Sequence, residues 1–114
     1  MAESKVRELA VQFAVDAVKY CETIKGHYSI VNQLERSATS IGANIHEANY
    51  AHGKPDFISK LQIVLKECYE TESWLEQFVK AEISDKDTDK ALYNQCGTIR
   101  RILISSINTA KSNL

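Results

Sequence analysis

The sequence predicts an all-α protein, an antiparallel up-down-up-down four-helix bundle, on three observations. Apolar residues recur at steps of three and four in four separate stretches, the spacing that lines one face of an α-helix. One Pro and four Gly among 114 residues leave little punctuation, so the elements must be few and long. The breaks that do occur leave only short loops, and short loops make consecutive helices antiparallel neighbours. The length suits a single domain over residues 1–114 with one core.

The first helix is expected from about Glu3 to Ile24, with Val6, Ala10, Phe13, Ala17, Tyr20 and Ile24 on its core face and Gly26 closing it. Val11, Val15 and Val18 lie on a different face. They form either a wide core face or a subunit contact, since a bundle helix needs only one apolar stripe.

The second helix is expected to start at Ser29, a good N-cap. Its seam, Val31, Leu34, Ala38, Ile41, Ile45 and Ala48, alternates three and four without a slip, which favours nearly antiparallel packing. Gly42 costs about 1 kcal/mol against Ala in a helix interior, which implies a packing reason.

His52-Gly53-Lys54-Pro55 is the clearest break, and Pro55 suits the first turn of the third helix. That helix reads Phe57, Leu61, Val64, Cys68, Thr71, Leu75 and Phe78, beside a second row of Ile58, Leu65, Glu72 and Val79. Glu72 interrupts the second row, so it must lie at a boundary, be paired, or have a raised pKa. Ser84 with Asp87 resembles a capping box for the fourth helix, where Asp85, Asp87 and Asp89 complement the macrodipole. Leu92, Cys96, Ile99, Leu103, Ile107 and Ala110 complete the core.

Composition excludes several function classes. No apolar run is long enough to span a bilayer and no signal-peptide pattern occurs, so a cytoplasmic protein without membrane contact is expected. Cys21, Cys68 and Cys96 fall at apolar helix positions as small hydrophobes, without C-x-x-C spacing. The di-iron pattern needs Glu-x-x-His, which is absent, and His46-Glu47 lacks the second His of a zinc protease because position 50 is Tyr. No strained Gly-x-Ser-x-Gly turn or Gly-rich phosphate loop exists, so no cofactor, no metal and no enzymatic activity are expected. The net charge of −1 gives no nucleic-acid footprint by itself.

What remains is the polar row Gln33, Arg36, Ser40, Asn44 and Glu47, at steps of three and four along the flank of the second helix. Ser and Asn are poor helix-interior residues, tolerated best where their side chains bond across a contact. Glu70 and Glu72 stand at a level where an antiparallel neighbour could meet Asn44, with Arg36 as counter-charge. The expectation is a hydrogen-bond network between helices or subunits that fixes register.

These residues also carry a resemblance. Tyr28, Gln33, Arg36, the Ser-Ile-Gly-Ala-Asn-Ile-x-Glu run from Ser40 to Glu47, Phe57 and Glu70-x-Glu72 resemble the 23S rRNA-intervening-sequence proteins over nearly the whole chain. The resemblance implies a bacterial antiparallel bundle that assembles as a ring-shaped homopentamer. The family is similar in turn to the accessory protein of diversity-generating retroelements, a basic pentamer that binds nucleic acid and a reverse transcriptase. This chain departs from that relative in its near-neutral charge, and has Ala48 where the family usually has Gly, which implies a more continuous end to the second helix.

The reading is a non-enzymatic homo-oligomeric scaffold or adaptor. One alternative is a nucleic-acid-binding module that gathers Lys86, Lys90, Arg100, Arg101 and Lys111 by fivefold repetition; another is an enzyme using Glu47, Glu70 and Glu72.

Overall fold

The computed structural model describes residues 2–114, with side-chain surroundings from Lys5 onward. Four helices follow one another: α1 (Ala2–Thr23), α2 (Tyr28–Ala48), α3 (Lys54–Lys80) and α4 (Lys86–Ser112). Each packs on its neighbours in the chain, and α1 closes the square against α4; no helix packs on the one diagonal to it. The α1–α4 seam is the thinnest of the four. The molecule measures 46 × 19 × 19 Å, as expected for helices of roughly 40 Å laid side by side.

The periodic residues face inward. Phe13, Leu34, Ile41, Ile45, Val64, Leu75, Phe78, Leu92, Ile99 and Leu103 are fully enclosed. Three predicted core members, Ile24, Val31 and Phe57, are only partly buried, because each sits near a helix end where the bundle opens to solvent. Gly42 faces Ala10 of α1, but packing does not demand a glycine there: a Cβ would lie 3.6 Å from the carbonyl oxygen of Ala10, an ordinary van der Waals contact.

Two helix starts differ from the sequence reading. Ser29 does not cap α2: Gly26 (φ 79) and His27 (φ 53) are both left-handed and reverse the chain so tightly that the helix begins at Tyr28. Ser84 does not cap α4 either. Asp85 does, its carboxylate accepting the Thr88 N–H at 2.8 Å. The displacement comes from the end of α3, where Ile83 N–H bonds the Phe78 carbonyl and Glu82 N–H the Val79 carbonyl. This is a Schellman closure with Glu82 (φ 58) in the left-handed position that usually holds Gly, and it delivers Asp85 in the extended conformation a cap requires.

Candidate functional site

Along the α2–α3 seam, the flank of α2 presents short polar side chains to α3. Asn44 donates its amide to both oxygens of Glu67, at 2.9 and 3.1 Å. Burial pushes the Glu67 carboxyl above its usual range and neighbouring Glu70 adds to this, while the hydrogen bonds from Asn44 pull it down. Ser40 donates to the Arg36 carbonyl at 2.7 Å. Deeper in the seam, Thr71 and Ser37 are buried with their hydroxyls 2.9 Å apart. Outside the Asn44–Glu67 pair, Asn44, Glu47, Lys60 and Ile63 enclose a shallow cavity of about 200 Å³.

The other side of α3 carries an ion pair. Glu72 is only 7% exposed, and Arg100 of α4 donates its Nε–H to it at 2.8 Å. The guanidinium also lies 5.5 Å from the ring centre of Tyr69, and Glu72 makes it hold its proton more tightly. Gly97 lies beneath both arginines: a Cβ there would make ordinary contact with the Arg100 guanidinium at 3.6 Å and would press only on the flexible end of Arg101, at 3.3 Å.

The candidate row therefore divides. Asn44 meets Glu67, not Glu70 or Glu72, and the counter-charge within the chain for Glu72 is Arg100, not Arg36. Gln33, Arg36, Glu47 and Glu70 are exposed. On α4, Lys86, Lys90, Arg101 and Lys111 are exposed, whereas Arg100 is held by Glu72. On α1, Val11 and Val15 are 52% and 42% exposed, and Val18 is half-buried. Of the two readings of these valines, core is ruled out for the first pair within one chain.

A family model described as 23S rRNA-intervening sequence protein matches residues 2–105. The chain belongs to that family. A solved crystal structure has the same fold: a protein with unknown function from the S23 ribosomal protein family of Bacteroides thetaiotaomicron VPI-5482. It superposes with a TM-score of 0.88 at 37% identity, over 95% of this chain and 99% of that one. No curated protein matches.

For this member of the 23S rRNA-intervening sequence family, sequence reasoning missed three polar participants. Glu67 and Ser37 lie beside the row already singled out, and the signal for both was the step of three or four from Thr71 and Ser40. Asp89, read only as a macrodipole partner, is buried and accepts the Tyr20 hydroxyl at 2.9 Å. Among the described residues, no group of three or more His, Cys, Asp and Glu gathers in a metal-holding arrangement, and no helix is long and apolar enough to cross a membrane.

Proposed function

We propose that this chain is a non-enzymatic scaffold that assembles with copies of itself, as the homopentamer its family resemblance implies, in the cytoplasm. The observation that carries the reading is the valine face of α1. Val11 and Val15 stand one turn apart, turned away from a core that α1 already fills with Val6, Ala10, Phe13, Ala17 and Tyr20. Apolar side chains paired on an outer helix face favour burial against another surface. In a ring of five the contacts run head to tail, so the valine face of one copy would meet a different surface of the next.

The carboxylates offered for catalysis support the scaffold reading, since Glu72 is committed to Arg100 while Glu47 and Glu70 stand exposed on two different helices. For nucleic acid, Arg100 is likewise committed, and Lys86 and Lys111 lie at opposite ends of α4, roughly 37 Å apart. A gel shift with single-stranded RNA or DNA that weakens with salt would favour the nucleic-acid module instead.

Light scattering after size exclusion tests the assembly. The expected mass is near five times the 12.8 kDa chain. The Val11→Glu/Val15→Glu variant should run as a monomer with unchanged helix content. A wild-type mass of one chain would overturn the proposal.

A further inference from the structure

Where α3 ends and α4 begins, the surface holds a cavity of about 510 Å³. Val79 and Tyr93 form its apolar wall, and Asp89 reaches it from the core, with only 2% of the residue exposed. One Asp89 oxygen accepts the Tyr20 hydroxyl; among the described residues no donor reaches the other. That second oxygen is not sealed off from solvent, so water or a ligand can supply the donor it lacks.

The surrounding charges do not do so. Lys80 is held by Glu76 at 3.1 Å. Lys86 and Lys90 stand one turn apart on the cavity rim, exposed, and neither forms an ion pair with Asp89. Asp87, also on the rim, and Asp85, the α4 cap, add only negative charge. From α1 comes Tyr20, and from the preceding loop the buried Ser84 hydroxyl, which has no hydrogen-bond partner. The cavity thus has an unmatched negative group inside, an apolar wall, and on its rim two lysines that outnumber the single Asp87 once Lys80 and Glu76 are paired.

We propose that this cavity binds a small zwitterion of amino-acid size, with its ammonium on the Asp89 carboxylate, its apolar body along Val79 and Tyr93, and its carboxylate at Lys86 and Lys90. The volume lies within the range of small-molecule sites. A simple cation would meet the two lysines, and a simple anion would meet Asp89. Only a ligand carrying both charges matches the order in which they are presented. The Tyr93 ring, on the same wall, can also face an ammonium.

The test is a titration of the full chain, followed by amide shifts, with leucine and phenylalanine and with their N-acetyl derivatives. Acetylation keeps the body and the carboxylate and removes the ammonium. The free amino acids should shift amides within residues 79–93 saturably, and the acetylated forms should not. Asp89→Asn should weaken binding by about tenfold or more, as for loss of a charge-assisted hydrogen bond. Absence of saturable shifts with the free amino acids, equal binding of the acetylated forms, or undiminished binding by Asp89→Asn would each overturn the proposal. The acetyl comparison needs no variant, so it tests the ammonium contact independently of Asp89→Asn.

Discussion

The bundle buries two carboxylates and treats them differently. At Glu72, mid-way along the α3–α4 seam, a guanidinium from the neighbouring helix lies against the charge and an aromatic ring flanks the guanidinium. At Asp89, near the start of α4, the charge meets only a phenol, and burial holds its carboxyl above the ordinary aspartate range despite that hydrogen bond. Both residues face inward to a similar degree. Burial alone therefore does not set the character of an acid; what the neighbouring helix brings opposite it does. α3 and α4 meet along a long contact that lets an arginine lie flat, whereas α1 reaches Asp89 through its last full turn, with only Tyr20 to offer.

The largest expected effect comes from making the first site resemble the second. Arg100→Met keeps the stem and removes the charge, which leaves Glu72 buried without its cation. The expected loss is about 2–4 kcal/mol in urea unfolding, below the full range for buried pairs because part of the arginine reaches solvent. Next is Tyr20→Phe, which strips Asp89 of its donor and should cost about 1–2 kcal/mol.

Smallest, and opposite in sign, is Asp89→Asn, expected to gain about 1 kcal/mol at neutral pH by removing a charge that only a phenol satisfies. The pH dependence follows from the raised carboxyl. The folded state holds the proton more readily than the unfolded chain, so the stability tied to protonation is fully present below the ordinary aspartate pKa. It is lost as pH rises through the higher folded value. The advantage of Asp89→Asn should therefore shrink on acidification, and melting curves across that window would show it. A gain independent of pH would mean that Asp89 is not the titrating group.

The seams were legible because apolar residues at helical spacing state their own face. Leu34, Ala38, Ile41 and Ile45 could hardly point anywhere but inward. Glu72 was legible as an anomaly, since a carboxylate in an apolar row demands a partner. Which partner was not legible: Arg100 lies 28 residues on, and its reach depends on the rotation of α4. Asp89 was hidden for a different reason. An aspartate in the first turn of a helix already has a sufficient explanation in the macrodipole, which masked the one signal of burial, its place three residues before Leu92 in step with the α4 seam. The cap at Asp85 was missed because Glu82 adopts a backbone conformation that its residue type does not announce.

The thin α1–α4 seam has a consequence for the order of events in folding. The other three seams join helices adjacent in the chain, so each can form as a local hairpin. Contacts between α1 and α4 must close far longer loops: Tyr20 to Asp89 spans 69 residues, and Gln95 to Asp16, bonded at 3.0 Å, spans 79. Loop closure of that kind delays long-range contacts relative to local ones. The seam that completes the square is thus the last made and the first lost. Changes along it should act mainly on the rate of unfolding and leave the refolding rate almost untouched.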